Sequence, residues 1–499
     1  MDFFSGILQG FNTSFTPTNL LYCFIGVFIG TLIGVLPGLG PVGTISILLP
    51  ATFSLGPVAA IILLAGIYYG AMYGGSTTSI LVNIPGEAAS VITCLDGYQM
   101  ARKGRAGAAL ATSAIASFIA GTVGVIGLMF LAYPLAKTAL KFGPPEFFSL
   151  MCLGLSILTF LAHGSMFKSL SMAVVGLLLS FIGIDILSGV PRFTMDLVDL
   201  MDGVGLVPIA MGLFGISEVI LNLERGFNRE VFETKIEGLL PNREERRRSR
   251  GPILRGTILG FLLGILPGGG AVVASLISYG VEKKVSHDPE KFGTGMIEGV
   301  AGPEAANNSA TASAFIPLLT LGIPPNIVLA VLLGAMMIHG LQPGPLLLKE
   351  HPEVFWGTVT SMYIGNVFLL ILNLPLIGLW VKILKVPYKF LFPLIILFCI
   401  IGAYSLNNTS FDILVMGFCG LAGYFMKKFE YEPAPLLLAF VLGPMMEQAF
   451  RQSLALSHGS FTIFITRPIS AFSIGLAILL VVSNFLPSWS KRRLSISNE

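Results

Sequence analysis

Long apolar blocks separated by short polar breaks dominate this chain, and some of the breaks fall inside blocks. Leu20 to Leu36 is uncharged and stops at Pro37-Gly38, and Val42 to Phe53 follows at once. Seventeen helical residues span only roughly 25 Å, short of a full crossing, so the two arms predict a hairpin that turns back inside a membrane. Pro57 to Tyr73 runs into a polar break at Gly74 to Ser79, and Glu87 to Met100 forms an arm ending in Arg102, Lys103 and Arg105. Ala106 to Ala136 carries no charge over 31 residues and predicts a long tilted span. Further spans are predicted at Phe147 to Phe167, Ser169 to Leu187 and Gly203 to Leu221. A second hairpin is predicted at Leu254 to Val281, then spans at Phe355 to Val381, Phe390 to Tyr404, Ile413 to Met426, Pro433 to Met446 and Ile469 to Phe485. Ahead of them all, Phe3, Phe4, Ile7, Leu8 and Phe11 share one helical face, which predicts an interfacial helix over Met1 to Asn12 with no basic leader.

The breaks come in pairs. Gly30-Thr-Leu-Ile-Gly34-Val-Leu-Pro37-Gly38-Leu-Gly40 matches Gly260-Phe-Leu-Leu-Gly264-Ile-Leu-Pro267-Gly268-Gly-Gly270 at an offset of 230 residues. Gly74-Gly75-Ser76-Thr77-Thr78-Ser79, leading to Ile84-Pro85-Gly86, parallels Asn307-Asn308-Ser309-Ala-Thr311, leading to Ile323-Pro324-Pro325, with a longer spacer in the second copy. Non-helical backbone at membrane depth is tolerated only where it is buried in protein or lines a cavity. Interrupted segments at matching places in two halves therefore point to a secondary transporter's site. Glycine's ordinary role in close helix packing is the plain alternative.

Composition agrees with the pattern: 54% of the 499 residues are hydrophobic, 11% are charged, and the mean hydropathy is +0.83. These values describe a polytopic membrane protein. Five scattered cysteines with no Cys-x-x-Cys suggest neither a disulfide framework nor a zinc site. The polar connection Asn222 to Arg250, with Arg243-Glu-Glu-Arg246-Arg247-Arg248-Ser-Arg250, reads as a cytoplasmic loop rather than a nucleic-acid patch. Counting outward from it puts Arg102, Lys103, Arg105 and Lys168 inside, with Lys137 and Lys141 outside as exceptions. Counting forward puts Lys283, Lys284, Lys382, Lys385, Lys389, Lys427, Lys428 and the tail Lys491, Arg492 and Arg493 inside. The chain then divides into 1–223, a first repeat; 224–250, a basic loop; and 251–499, a second repeat of inverted topology with a cytoplasmic tail. The fold class is an all-α polytopic protein with re-entrant hairpins and discontinuous helices.

Helix starts inside a membrane favour anions. Gly38, Gly40, Gly268, Gly269 and Gly270 allow close backbone approach, and Ser76, Thr77, Thr78, Asn308, Ser309 and Thr311 add polar groups for a substrate. Asn307 and Asn308, with unwound carbonyls at Gly38 and Gly268, offer hard oxygens to a cation such as Na+; the alternative for the asparagines is interhelical hydrogen bonding. Glu304 is a coupling candidate as cation ligand or proton carrier, or else a helix cap. Glu87 and Asp96 read as solvated or capping, His163 and His339 as satisfied histidines, and Asn407 to Ser410 as an external turn. No His-Glu-x-x-His, intramembrane carboxylate pair or Gly-x-x-x-x-Gly-Lys-Ser/Thr motif is present, so neither an intramembrane enzyme nor a nucleotide-driven pump is expected. A channel with polar broken helices is the alternative to a transporter.

Gly34-Val-Leu-Pro-Gly-Leu-Gly40, Tyr69-Gly-Ala-Met-Tyr-Gly-Gly-Ser-Thr-Thr-Ser-Ile-Leu-Val-Asn-Ile-Pro-Gly86, Cys94-Leu-Asp-Gly-Tyr-Gln-Met-Ala-Arg-Lys-Gly104, Pro303-Glu-Ala-Ala-Asn-Asn308 and His339-Gly-Leu-Gln-Pro-Gly-Pro345 resemble the TctA family, the large membrane subunit of bacterial tripartite tricarboxylate transporters. The resemblance covers most of the chain. It implies uptake of di- or tricarboxylates such as citrate across the inner membrane, driven by an ion gradient, usually Na+, with no tightly bound cofactor. It also implies two partners, a small four-helix membrane subunit and a periplasmic substrate-binding protein. The chain departs from the family at Gly322-Ile-Pro324-Pro325-Asn326, where glycine more often follows the first proline; proline removes an N–H that would face a ligand. The mechanism expected is elevator-like or rocking, with Phe147 to Leu187 and Phe390 to Met426 as scaffold and as a contact between copies of the chain.

Overall fold

A backbone in a bilayer has to satisfy its own N–H and C=O groups, and this chain does so with helices. The computed structural model describes residues 3–36, 40–161, 165–185, 188–225, 240–268, 270–384 and 388–483. In order these form α1 (Phe3–Ser14), α2 (Pro17–Val35), α3 (Gly40–Leu48), α4 (Pro57–Val82), α5 (Val91–Arg102), α6 (Ala106–Ala139), α7 (Pro144–Leu161) and α8 (Met166–Ser180). A two-stranded hairpin follows, β1 (Gly183–Ile184) antiparallel to β2 (Pro191–Arg192), and then α9 (Leu206–Ala210), a π-helical stretch (Met211–Ile216) and α10 (Ser217–Arg225). Next come α11 (Arg243–Ile265), α12 (Gly270–Val285), α13 (Glu298–Ser313), α14 (Phe315–Leu321), α15 (Ile327–Ile338), α16 (Leu347–Glu350) and α17 (Pro352–Asn373). The described chain closes with α18 (Ile377–Leu384), α19 (Tyr388–Asn407), α20 (Ser410–Lys428), α21 (Pro433–Leu456), α22 (Ile463–Thr466) and α23 (Pro468–Ser483). Seven helices among the described residues are long and apolar enough to cross a bilayer, so this is an all-α, multi-pass membrane protein.

The expected interruptions after Leu36 and Leu266 are present, and proline explains where the helices end. Yet α2, expected to fall short of a crossing, is long and apolar enough to make one. Leu36 and Leu266, the residues before Pro37 and Pro267, have extended backbone and end α2 and α11, as the ring of a following proline requires. The glycines upstream have a different task. A Cβ at Gly26, Gly30 or Gly34 of α2 would stand 2.4, 2.5 and 2.4 Å from the carbonyl oxygens of Leu63, Ile67 and Ala71 of α4. A Cβ at Gly256, Gly260 or Gly264 of α11 would stand 2.3, 2.2 and 2.3 Å from the carbonyls of Gly302, Ala306 and Ala310 of α13. Small residues four apart let the paired backbones touch, the usual means of association where apolar surface alone cannot drive it.

These contacts set the register of the repeat. Positions 63, 67 and 71 answer to 302, 306 and 310, each 239 residues on. The same offset carries the left-handed Asn83 (φ +57°) onto the left-handed Gly322 (φ +71°) and Ile84-Pro85 onto Ile323-Pro324. No extra spacer is needed, and Gly74 to Ser79 is not the counterpart of Asn307 to Thr311. One helix, α4, corresponds to α13 and α14 together; Pro317 withholds the N–H that would complete the joint between them. Contacts cross between the halves: α13 packs on α6 and α5, α11 on α6, α4 on α17 and α15, and α2 on α17, while α4 packs also on α5 and α6 of its own half.

Around this centre lies a second layer. The helices α7, α8, α21 and α23 pack together, as do α9, α10, α19 and α20. Phe398, Leu414, Phe418, Phe472 and Leu479 stand exposed there, as lipid-facing side chains do, whereas α4, α13 and α14 are buried on every side. Three expectations change. The predicted span Ser169 to Leu187 is the shorter α8, because the chain turns at Gly183 (φ +122°) into the β-hairpin. The basic run Arg243 to Arg250 is the first two turns of α11, capped by Asn242 and Glu245. There Arg248 pairs with Glu298 at 2.6 Å, while Arg105 pairs with Glu245. Finally, α1 lays Gly6 and Gly10 against Trp356 of α17, so the N-terminal helix is docked onto the protein.

Candidate functional site

The polar residues singled out in the sequence meet at the centre of the fold, without the breaks expected of them. Gly74 to Ser79 lies within the uninterrupted α4, and Asn307 to Thr311 within the uninterrupted α13. The helices survive this composition because the glycines face neighbouring backbone and the hydroxyls bond to carbonyls. Thr78 Oγ1 donates to the Val35 carbonyl at 2.7 Å, Ser309 Oγ to the Thr257 carbonyl at 2.8 Å, and Thr311 Oγ1 to the Asn307 carbonyl at 2.9 Å. Thr77 is buried beside them. Ser309 and Thr78 thereby tie α13 to α11 and α4 to α2, and do not present free donors to a substrate. The interruptions sit one step later, at Asn83 to Glu87 and Gly322 to Asn326.

Glu304 is the focus of the polar belt. On the middle of α13 and 1% exposed, it accepts hydrogen bonds from Ser76 Oγ of α4 at 2.6 Å, from Thr93 Oγ1 of α5, and from Ser117 Oγ of α6 at 3.4 Å. Asn308 extends the network by donating from Nδ2 to Ser117 Oγ at 2.7 Å and to the Glu304 carbonyl at 3.1 Å. Four helices thus converge on one carboxylate. It does not cap a helix start, since α13 begins at Glu298. Hydroxyl oxygens that donate to a carboxylate keep lone pairs for a cation, so the cluster can hold a positive ion or a proton away from water.

Two more carboxylates depart from the solvated reading. Asp96 is wholly buried and accepts from the backbone N–H groups of Gly293, Gly295 and Met296 at 2.9, 2.7 and 2.7 Å and from Tyr279 Oη at 2.9 Å. It latches α5 to the turn that opens α13. Glu87 does cap, as expected: Oε2 accepts from the Ala89 N–H at 2.6 Å. Yet it is buried, and its other oxygen faces Asn307 Nδ2 at 3.4 Å. The register makes Asn326 the counterpart of Glu87 and Tyr68 the counterpart of Asn307, and that pair meets too, Asn326 Nδ2 to Tyr68 Oη at 3.0 Å. Each half therefore places its loop residue against the other half's central helix.

At the hairpin tips, Gly40 (φ +60°) and Gly270 (φ +29°) have open space where a side chain would go. The Gly268 N–H is occupied, donating to the Pro325 carbonyl at 2.8 Å; the proline that lacks its own donor supplies an acceptor that closes tip on loop. Gly38 and Gly269 lie outside the described residues, as does His163. His339 is a satisfied interface histidine, with Nε2 3.0 Å from Thr52 Oγ1. Asn407 bonds to Asp412 and Thr409 caps α20. Among the described residues no three His, Cys, Asp or Glu side chains gather as a metal centre would require. Sequence reasoning missed Thr93, Ser117, Tyr68, Asn326 and Asn366, whose Oδ1 accepts from Tyr73 Oη at 2.5 Å. The legible signals were the Ser113/Ser117 pair four apart on a largely apolar helix and single asparagines in apolar stretches.

The profile of the tripartite tricarboxylate transporter TctA family matches residues 20–438. A protein of Agrobacterium vitis, described as an uncharacterized 52.8 kDa protein in the TAR-I ttuC' 3' region, is 52% identical over 493 residues, covering 99% of this chain and 98% of that protein. A second from Agrobacterium vitis, described as an uncharacterized protein in the TAR-II ttuC' 3' region, is 52% identical over 234 residues, 47% of this chain and 97% of its own length. No solved structure matches.

Proposed function

From the premise that the chain belongs to the TctA family, and so is a membrane component of a tripartite tricarboxylate transporter, we propose that it is the large subunit importing a di- or tricarboxylate such as citrate across the bacterial inner membrane. A periplasmic binding protein delivers the substrate, a small four-helix subunit completes the membrane complex, and a cation gradient, that of Na+, drives uptake.

The observation that carries this reading is the pair of contacts that cross between the halves around a buried polar centre. Glu87 meets Asn307 while Asn326 meets Tyr68, and α13 meets α6 while α4 meets α17. Reciprocal exchange is what a two-fold relation produces. Combined with the placement of Lys and Arg, it supports repeats of inverted topology, in which one fold shows its site to either side. The substrate's carboxylates are assigned to the starts of α3 and α12, where Gly40 and Gly270 leave the tips uncovered and free N–H groups favour anions. The cation belongs to the polar face of α13. The central helices move as a unit against α7, α8, α19 and α20 in an elevator-like step.

The test is uptake of a labelled carboxylate panel, citrate included, into proteoliposomes holding this chain with its small partner. Accumulation that needs both the binding protein and an imposed Na+ gradient is the expected result. Steady current in planar bilayers with no such dependence would instead mean a channel.

A further inference from the structure

The first turns of α11 carry a charged face that the fold leaves bare. The capping box of Asn242 and Glu245 starts the helix at Arg243, so Arg243, Arg246, Arg247 and Arg250 are all helical, and all four are exposed. No carboxylate pairs with any of them among the described residues. The other two arginines of the helix do find partners, Arg248 in Glu298 at 2.6 Å and Arg255 in Glu282 at 2.5 Å. Four unpaired arginines in this place work against the helix, because cations oppose the positive end of its dipole and like charges three or four apart repel. Such a face calls for a negative partner from outside the fold.

The course of the face identifies that partner. Steps of four, three, four, four and four lead from Arg243 through Arg247, Arg250, Leu254 and Ile258 to Leu262, along one side of a helix. Leu254, Ile258 and Leu262 are 63%, 53% and 59% exposed. Two residues beyond each member of this stripe stand Glu245, Ser249, Pro252, Gly256, Gly260 and Gly264, all of them buried. Two residues turn a helix by about 200°, so the exposed stripe points away from the protein along its whole length. Its apolar end faces lipid, as the exposed side chains of the outer helices do. Its basic end begins about 6 Å along the axis from Leu254, at Arg250. A lipid-facing stripe that becomes basic within one turn marks the level where acyl chains give way to headgroups, and arginines clustered there suit anionic lipid. The planar guanidinium fork matches a phosphate.

We propose that Arg243, Arg247 and Arg250, flanked by Arg246, bind the phosphate of an anionic phospholipid whose acyl chain lies along Leu254, Ile258 and Leu262. Because α11 packs along α13, the lipid holds the helix that braces Glu304 at a fixed depth. The site stands whether or not a carboxylate is transported.

The experiment uses the purified full-length chain in a neutral detergent and reads the melting temperature as phosphatidylglycerol or phosphatidylcholine is added. A ligand that binds only the folded state raises the melting temperature with its own concentration. Phosphatidylglycerol should stabilise where phosphatidylcholine does not, and less so as salt rises. Arg247→Gln and Arg250→Gln should each weaken half-saturation about fivefold, and the double variant roughly 25-fold. Lys283→Gln with Lys284→Gln removes as much charge from the exposed end of the neighbouring α12 and should leave half-saturation unchanged. Equal weakening in that variant would reduce the effect to diffuse surface charge and overturn the site. No stabilisation by phosphatidylglycerol, or equal stabilisation by both lipids, overturns it as well, and this comparison on the wild type decides even if a variant does not fold. Stabilisation by glycerol phosphate without acyl chains would make the ligand a soluble phosphate and overturn the lipid.

Discussion

The helix pairs α2–α4 and α11–α13 are built to one packing plan and carry different side chains. In both, three small residues spaced by four press one backbone onto the carbonyls of the next, and the helix ends just beyond them at a residue that precedes proline. But where α13 has Glu304, Asn307 and Asn308, the register puts Ala65, Tyr68 and Tyr69 in α4. Where the first loop has Glu87, the second has Asn326. Packing needs symmetric shapes at the interface, so it holds both copies to small residues. The chemistry is not symmetric: the buried carboxylates Glu304 and Glu87 have the uncharged counterparts Ala65 and Asn326. The two pairs thus share a frame and differ in contents.

The largest effect should come from the shared frame. Gly34→Leu and Gly264→Leu should each abolish folded protein, seen as loss of the monodisperse peak in detergent, because their Cβ atoms already meet the Ala71 and Ala310 carbonyls at 2.4 and 2.3 Å; the alanine variants should cost about 1–3 kcal/mol. If only one of the two sites resists substitution, the packing equivalence fails. Next comes the differentiated centre. Glu304→Gln keeps an acceptor for the hydroxyls but removes the charge, so it should lower uptake by roughly 10–100-fold while the chain still folds; uptake at the normal rate with normal cation dependence would remove Glu304 from coupling.

Asp96 sharpens the comparison from the structural side, since its counterpart, Ala335, is apolar. Asp96→Asn loses charge-assisted acceptance from three N–H groups and should destabilise by about 1.5–3 kcal/mol, read as a lowered melting temperature at unchanged substrate affinity. The smallest effect belongs to the Asn326–Tyr68 contact. Tyr68→Phe leaves Asn326 Nδ2 without its hydroxyl partner and should cost about 1 kcal/mol, read as a slightly lowered melting temperature; a loss as large as that of Asp96→Asn would mean that this contact also holds the halves together.

How much was legible follows from the kind of information each feature needs. The ends of α2 and α11 could be read because proline acts on the residue immediately before it, a local effect visible at Leu36 and Leu266. Gly74 to Ser79 misled because glycine and hydroxyl residues suit both a helix break and a tight helix–helix contact. Only the neighbouring backbone distinguishes these, and here α2 is that neighbour. Glu87 and Asp96 misled for a related reason: a carboxylate near a loop is usually solvated, and nothing local reports that α12 and α13 fold over it.

By itself, then, the sequence determined that the chain lies in a membrane, that two glycine-spaced helices end before matching prolines, and which residues are polar within apolar stretches, because hydropathy, proline and glycine act within a few residues. Only the tertiary structure decided that Ser76, Thr93 and Ser117 converge on Glu304 and that Glu87 reaches Asn307, across separations of 187 to 228 residues. Helical periodicity names the face a side chain lies on, while the partner across that face is chosen by how closely glycine lets two backbones approach.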